Sequence, residues 1–568
     1  MARLSRYFEL VRAADGAEHM RVHIDGVALL RLALTNKGVA FPIDERIALG
    51  LDGLLPPHVA GIEEQLTRVY EGFIREPSPI AQYTYLRSLQ ERNEILFYAL
   101  VERHLEEMLP IVYTPTVGEA VQKFYALYQS ARGLSLSVEN IDRAKEATKN
   151  CLLDDVRMVV ATDSSAILGI GDQGYGGIAI AIGKLALYTV AGGVSPYRSL
   201  PVGLDVGTNR KDLVNSPTYL GVNHPRLEGE AYLAFMDKVV AAIRERWPRA
   251  ILQWEDLSKD TAFTVLERYR DVLPSFNDDI QGTGAVALAG LLAACASQKR
   301  RLSQETVVVY GAGAGGAGVA QMILEGMKRE GLSAEDARAR VLVLDSKGLL
   351  VEGRAMEPYK ERLAQPKARI AGWDGFDLES TIKNAKATVL LGLSGQPGKF
   401  TDTVVRALLP NTERPIVFAL SNPTSSCEAQ PKDILFWTEG RALVATGSPF
   451  APVRVGERDV PIGQGNNAFI FPGLGFGAIL ADASKITDGM VMESAVTLAE
   501  YTQAKHGKEG LLYPPVSELR AVSLEVATRV LRRAFADGVA RTKKVTPEGA
   551  GEYVRKKAWN ARYLPFKR

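Results

Sequence analysis

At 568 residues the chain is too long for one compact core, so we expect several domains. A hydrophobic share of 46% and a charged share of 24% are ordinary for a globular enzyme and exclude extensive disorder. The 68 Lys and Arg residues nearly balance the 66 Asp and Glu residues, and a net charge of +2 gives no broad attraction to nucleic acid or to an anionic membrane. We therefore expect a small-molecule partner.

Cysteine usage indicates the compartment. Cys151, Cys295 and Cys427 lie far apart without a CxxC spacing, which excludes a disulfide framework and a cysteine zinc site. The first eleven residues carry arginines and a glutamate, and no apolar core of signal-peptide length follows them. We predict a cytoplasmic protein.

The N-terminal part is predicted to be mainly helical. From residue 21 to about 131, apolar residues recur at three- and four-residue spacing, with a short strand expected at Met20–Ile24. Further along, residues 176–196 are nearly uncharged and about long enough to span a bilayer. Because this segment contains Lys184 and many glycines, we predict a buried helix of a soluble protein.

Strands and helices then alternate, which predicts a parallel α/β layer. Short apolar runs at 158–161, 200–204 and 251–254 are bounded by turn residues, and a helix is predicted at 231–247. From residue 306 the alternation becomes regular, with apolar runs at 307–310, 341–344, 388–391, 416–420 and 443–446. Such runs suit strands covered on both faces, so we predict a doubly wound, Rossmann-type sheet.

A glycine-rich turn follows the first of these five runs. Gly311, Gly313 and Gly316 have the GxGxxG spacing, in which glycines allow a tight turn and a close approach of the pyrophosphate. Asp345 ends the next run, where it can accept hydrogen bonds from the adenosine ribose and favours NAD. The basic residues beyond it, which leave NADP use open, are Lys347, Lys360 and Arg362.

Two pairs of acidic residues stand at predicted element ends before this turn. Glu255 and Asp256 end the strand at 251–254, and Asp278 and Asp279 precede an apolar helix. Three oxygens drawn from these carboxylates would suit Mg²⁺ or Mn²⁺. Helix capping is the alternative role for Asp278 and Asp279.

Lys184 stands alone among apolar residues. Burial disfavours the ammonium form, so this lysine could serve as a base near neutral pH, or a buried carboxylate could neutralise it. A surface lysine whose head reaches solvent would give the same pattern.

Several longer motifs resemble those of the malic enzymes, from about residue 30 to the C-terminus. They are Thr-Asn-Lys-Gly at 35–38, Ile-Val-Tyr-Thr-Pro-Thr-Val-Gly at 111–118, Ile-Leu-Gly-Ile-Gly-Asp at 167–172, Phe-Asn-Asp-Asp-Ile-Gln-Gly-Thr at 276–283, Leu-Ser-Asn-Pro-Thr at 420–424 and Gly-Gln-Gly-Asn-Asn at 463–467. The resemblance implies oxidative decarboxylation of L-malate to pyruvate and CO₂, with reduction of NAD⁺ or NADP⁺.

The resemblance also implies a role for each matching residue. The catalytic matches are Tyr113, Lys184 and Asp278, the metal ligands are Glu255, Asp256 and Asp279, and the substrate-binding amides are Asn422 and Asn467, with Asn422 also contacting the nucleotide. The lysine would take the C2 hydroxyl proton as hydride leaves for the nicotinamide, and the tyrosine would protonate C3 of enolpyruvate.

The family further implies four domains and a homo-oligomer, either a dimer or a tetramer. The expected divisions are a mainly helical domain at 1–130, a substrate domain at 131–277 completed by 468–540, a Rossmann-type domain at 278–467 and a C-terminal arm at 541–568. A solvated charge run would look the same as this basic arm.

One position departs from the family. Malic enzymes usually carry an arginine just before the Ile-Leu-Gly motif, where it pairs with a substrate carboxylate, and this chain has Ala166. Malolactic enzymes, which convert L-malate to L-lactate and CO₂, also lack it, although Tyr113 lies in a motif of the malic form. A malic enzyme is the first interpretation and a malolactic enzyme the second. A catalytically idle NAD-binding protein is a third, which the retained catalytic matches disfavour.

Overall fold

The computed structural model describes residues 3–13, 16–167 and 169–568. Leu168 of the Ile-Leu-Gly motif therefore lies outside the described residues.

The N-terminal region is helical, as predicted, but it begins with an antiparallel pair of strands. These are β1 (Phe8–Arg12) and β2 (Glu18–Val22), so the predicted strand starts two residues earlier than expected and has a partner that sequence reasoning missed. The helices that follow are α1 (Gly26–Arg31), α2 (Ile43–Ala48), α3 (Ile62–Ile74), α4 (Pro79–Arg92), α5 (Glu94–Arg103), α6 (Leu105–Val112), α7 (Thr116–Gln122) and α8 (Phe124–Leu127).

A five-stranded parallel sheet comes next, in the order β3-β5-β4-β6-β7. Its elements are β3 (Leu134–Ser137), α9 (Ala144–Lys149), β4 (Met158–Thr162), α10 (Ile178–Val190), β5 (Ser199–Asp205), α11 (Lys211–Val214), α12 (Gly229–Arg246), β6 (Ile251–Glu255), α13 (Lys259–Tyr269) and β7 (Ser275–Asn277). The predicted α/β layer is confirmed, and sequence reasoning missed its two edge strands.

A seven-stranded sheet forms the second α/β layer, in the order β10-β9-β8-β11-β12-β13-β16, with only β10 antiparallel to its neighbour. Its strands and the helices around them are α14 (Thr283–Ser297), β8 (Val307–Tyr310), α15 (Ala314–Arg329), α16 (Ala334–Arg340), β9 (Val341–Asp345), β10 (Gly348–Leu349), α17 (Pro358–Glu361), α18 (Leu378–Ala385), β11 (Val389–Gly392), α19 (Asp402–Arg406), β12 (Ile416–Ala419), α20 (Pro431–Trp437), β13 (Leu443–Thr446) and β16 (Gly463–Gln464). Between β13 and β16, the strands β14 (Val453–Val455) and β15 (Arg458–Val460) form a separate antiparallel pair. All five predicted strands form, and all five lie between the edge strands β10 and β16, as their continuous apolar character requires.

The C-terminal part returns to the N-terminal strands. It comprises α21 (Phe471–Ala481), α22 (Asp488–His506), α23 (Leu519–Ala536), α24 (Ala550–Lys557) and β17 (Phe566–Lys567). Strand β17 pairs in parallel with β2, and Lys37 contacts both Glu45 and the carbonyl of Leu564. The end of the basic arm is therefore packed against the protein, while the four domain divisions stay a prediction.

Two apolar segments lie inside the fold. Every residue of α10 is buried, which confirms the interpretation of residues 176–196 as a buried helix. Among the described residues, Asp278–Ser297 is the one helical segment long and apolar enough to cross a membrane, and 78% of its most apolar window is buried within the protein.

Candidate active site

The acidic residues meet at the carboxyl edge of the five-stranded sheet. In register, Thr162 at the end of β4 pairs with Glu255 at the end of β6, and Trp254 pairs with Asn277 at the end of β7. Parallel strands bring their following residues to one edge, where ligands of open α/β sheets bind. Residues some 20 positions apart in the chain therefore converge there.

Glu255, Asp256 and Asp279 form a compact carboxylate cluster. Each offers one oxygen, and these oxygens lie within 4.8 Å of one another. The backbone N–H of Asp256 donates to Asp279 Oδ2 over 2.8 Å. Asp256 has φ of 53°, in the left-handed region, which aspartate adopts more readily than most residues. This turn of the chain aims successive carboxylates into one space.

Lys184 is the cation paired with this cluster. It is 1% exposed, its Nζ donates to Asp278 Oδ2 and it lies 3.0 Å from Glu255 Oε1. The structure therefore shows a lysine neutralised by buried carboxylates, which the sequence left open as one alternative. The alternative of a surface lysine whose head reaches solvent was wrong. Helix α10 holds the lysine because every residue of the helix is buried and most of its other side chains are apolar.

The charges in the site shift several pKa values. Burial alone would lower the pKa of Lys184, but the carboxylates of Asp278 and Glu255 raise it well above its usual value. Burial raises the pKa of Glu255 strongly, against the opposing charge of Lys184. Burial likewise raises the pKa of Asp279 to about 6. Burial therefore disfavours the ionised forms of Glu255 and Asp279 in the protein alone.

Tyr113 lies beside the lysine, directly after α6. The residue is 5% exposed, and Lys184 Nζ lies 5.4 Å from the centre of its ring and 4.5 Å from that of Phe471. Burial raises the pKa of the Tyr113 hydroxyl. The phenol therefore stays protonated near neutral pH.

The two predicted amides occupy different parts of the site. Asn467 Nδ2 donates to Asp278 Oδ2 over 3.0 Å and to Thr283 Oγ1 over 3.0 Å, so it adjoins the lysine's partner. Asn422 is exposed, and its Oδ1 accepts a hydrogen bond from Ser448 Oγ over 2.7 Å. Asn467 therefore lies beside the lysine's partner, whereas Asn422 is an exposed residue three positions after the end of β12.

The glycine-rich turn closes directly on the acidic residues. Gly311 has φ of 114°, and a Cβ there would lie 2.4 Å from the carbonyl oxygen of Leu393; at Gly316 it would lie 1.8 Å from that of Gly311. A Cβ at Gly313 meets no described atom within 4 Å, and one at Gly315 would lie 3.6 Å from the carbonyl oxygen of Asp279. The glycine-rich turn therefore lies next to the backbone of the carboxylate cluster at Asp279.

Asp345 ends β9, as predicted, but basic side chains contact it. Arg354 donates to its Oδ2 over 2.5 Å, and Lys360 Nζ lies 3.4 Å from the same atom. Despite its burial, Asp345 has a lowered pKa, because the Lys347 backbone N–H and these cations stabilise the carboxylate. Sequence reasoning missed Arg354, nine residues further on, because no spacing rule marks it.

Ala166 adjoins the carboxylate cluster. Its backbone N–H donates to the carbonyl of Asp256 over 3.0 Å. Any side chain at this position begins on a residue that directly contacts Asp256, a member of the cluster. The position at which the resemblance implies an arginine therefore lies next to the carboxylate cluster.

Comparisons with known proteins agree with these features. Residues 90–270 match the N-terminal domain of malic enzymes, and residues 280–535 match their NAD-binding domain. An NAD-dependent malic enzyme of Pseudomonas aeruginosa is 45% identical over 549 residues, covering 96% of this chain and 97% of that protein. One of Pectobacterium atrosepticum is 44% identical over 548 residues, covering 96% and 97%.

Solved structures share the fold. A malic enzyme of Entamoeba histolytica has a TM-score of 0.57 at 22% identity and covers 90% of each chain. One of Pyrococcus horikoshii has a TM-score of 0.55 at 25% identity, covering 80% of this chain and 89% of that one.

Proposed function

Because this chain belongs to the malic enzyme family and is an NAD-dependent decarboxylating oxidoreductase, we propose that it oxidises L-malate to pyruvate and CO₂, with NAD⁺ as hydride acceptor and Mg²⁺ or Mn²⁺ as required cofactor. One observation carries the proposal. The 3.0 Å contact of Lys184 with Glu255 joins a buried amine to a three-carboxylate cluster, and the glycine-rich turn adjoins that cluster at Asp279.

The donor set supports a hard divalent cation held by Glu255, Asp256 and Asp279. All three offer oxygen, the ligand atom that Mg²⁺ and Mn²⁺ prefer. Together with Asp278 they make four carboxylates beside the ammonium of Lys184, and burial, followed by the neighbouring carboxylates, raises the pKa values of Glu255 and Asp279. When bound, the cation would supply positive charge that stabilises the enolate formed as CO₂ departs, and it would offset the negative charge of Glu255.

Lys184 and Tyr113 divide the proton transfers between them. Asp278 and Glu255 keep Lys184 an ammonium in the free protein, so it must first release one proton to solvent before it can act as a base. A cation held at Glu255 would favour that release by lowering the pKa of the lysine. The lysine then takes the proton of the C2 hydroxyl as hydride moves to the nicotinamide. Tyr113, whose raised pKa keeps the phenol protonated, gives a proton to C3 of enolpyruvate.

Ala166 favours a second candidate function. Without a bidentate arginine beside the cluster, a substrate carboxylate loses one charged contact, as in malolactic enzymes. Pyruvate retained on such an enzyme would be reduced to L-lactate by the NADH just formed. Malate then gives lactate without net reduced nucleotide.

A product assay separates the two functions. The enzyme is incubated with L-malate, Mn²⁺ and either NAD⁺ or NADP⁺, and reduced nucleotide, pyruvate and lactate are measured separately. The proposal expects pyruvate and NADH in equal amounts, with NAD⁺ preferred. Lactate without net NADH would assign the malolactic reaction, and no product of either kind would leave an idle nucleotide-binding protein.

A further inference from the structure

Two fully buried side chains adjoin Glu255 outside the proton transfers described above. The Tyr188 hydroxyl donates to Gln253 Oε1, and Gln253 Nε2 donates to Glu255 Oε2 over 2.8 Å. Both Tyr188 and Gln253 are 0% exposed. Because Glu255 Oε1 faces Lys184, the lysine holds one carboxylate oxygen and the glutamine holds the other.

The contacts arise from matching repeats of α10 and β6. Lys184 and Tyr188 are four residues apart on one helix face, a rise of about 6 Å. Gln253 and Glu255 are two residues apart on one strand face, a rise of about 6.6 Å. The helix and strand are therefore joined by two side-chain contacts, Lys184 with Glu255 and Tyr188 with Gln253. Both contacts are held by regular secondary structure.

Chemistry fixes the direction of the chain of hydrogen bonds. To hold a cation Glu255 must be ionised, and an ionised carboxylate only accepts hydrogen bonds, so the Gln253 amide nitrogen must then face Glu255 and its oxygen must face Tyr188. The tyrosine is then the donor. Without the Tyr188 hydroxyl, the Gln253 amide oxygen would be buried without a donor. If the amide then rotated, it would turn its oxygen toward the Glu255 carboxylate.

We propose that Gln253 and Tyr188 are positioning residues that orient Glu255 for divalent-cation binding, an inference that rests on the metal site of the proposed function. Gln253 anchors Oε2 of Glu255, so Oε1, which lies beside Lys184, would be the oxygen offered to the cation. Outer partners of this kind commonly tune metal affinity by about 10- to 100-fold.

Mn²⁺ binding to the metal-free full-length enzyme tests the proposal without relying on turnover. Free Mn²⁺ is measured by its paramagnetic resonance signal, and NAD⁺ affinity is measured separately. In Gln253→Met we expect the Kd for Mn²⁺ to rise by about 10- to 100-fold, and in Tyr188→Phe by about tenfold, with NAD⁺ affinity unchanged.

Two matched variants control for the loss of a buried hydrogen bond elsewhere. Gln365→Met removes a buried amide that donates to the carbonyls of Arg338 and Val341, and Tyr197→Phe removes a buried hydroxyl that donates to the carbonyl of Leu34. Both should bind Mn²⁺ like the unaltered enzyme. A loss in the controls equal to that in Gln253→Met and Tyr188→Phe would overturn the proposal, because general destabilisation would explain it.

The remaining outcomes separate this inference from the proposed function. Unaltered Mn²⁺ affinity in Tyr188→Phe and Gln253→Met, with binding lost in Asp279→Ala, overturns the positioning role alone. Unaltered affinity in Asp279→Ala overturns the metal site and the positioning role together. Should Gln253→Met fail to fold, Tyr188→Phe, which removes one oxygen atom, decides the question.

Discussion

Replacing Lys184 with methionine removes the ammonium from the centre of the site and keeps a similar length of side chain. Asp278 and Glu255 are then left buried without their cation. Removing one partner of a buried ion pair typically costs about 3–5 kcal/mol, so we expect the free energy of unfolding to fall by about that amount in metal-free buffer at neutral pH. Loss of a general base should lower kcat for malate oxidation by about 10²- to 10⁴-fold.

A second change separates the structural from the catalytic effect. Lys184→Met combined with Asp278→Asn removes one unpaired charge, so part of the lost stability should return in urea unfolding while kcat stays low. Small primary amines should partly restore turnover in Lys184→Ala, and NAD⁺ should still bind to every variant. Near-normal kcat in Lys184→Met would refute the base assignment, and unaltered stability would refute the buried ion pair.

Three further predictions concern the metal, the missing arginine and the nucleotide turn. Asp279→Ala should lose malate oxidation by several orders of magnitude while binding NAD⁺; full activity in EDTA would exclude the metal role. Ala166→Arg should lower the KM for malate by about 10- to 100-fold, since a charged carboxylate contact is worth about 1.5–3 kcal/mol; an unaltered KM would place the substrate elsewhere. Gly313→Ala should weaken NAD⁺ binding at unaltered thermal stability, whereas Gly316→Ala should lower the melting temperature, because a Cβ there would lie 1.8 Å from the Gly311 carbonyl oxygen. Equal thermal stability of these two glycine variants would contradict the geometry of the turn.

Local patterns predicted most of the central fold. The runs at 307–310 and 443–446 form strands with those bounds, because a sheet covered on both faces requires continuous apolar sequence. Short edge strands such as β7 escaped prediction, since three residues carry too little pattern. The pairing of β17 with β2 joins the two ends of the chain, and no local signal marks a contact across that separation.

In the candidate site, too, local sequence identified individual residues but not the contacts between distant parts of the chain. Motifs identified Lys184 and Glu255, yet the choice among a neutral base, a paired ammonium and a surface lysine depended on Asp278, 94 residues away. Gln253 could have been found from the sequence, because it stands two residues before Glu255 and so shares its strand face. Tyr188 could have been found as the residue four positions beyond Lys184 on its helix.

The fate of the hydrogen on C2 of malate tests the central claim most directly. L-Malate deuterated at C2 is mixed with enzyme, Mn²⁺ and NAD⁺ for a single turnover, and the labelled products are quantified. We predict one deuterated NADH and one unlabelled pyruvate per site, both abolished by EDTA. Deuterium recovered in lactate without net NADH, or unaltered turnover in EDTA, would contradict metal-dependent oxidation with release of pyruvate.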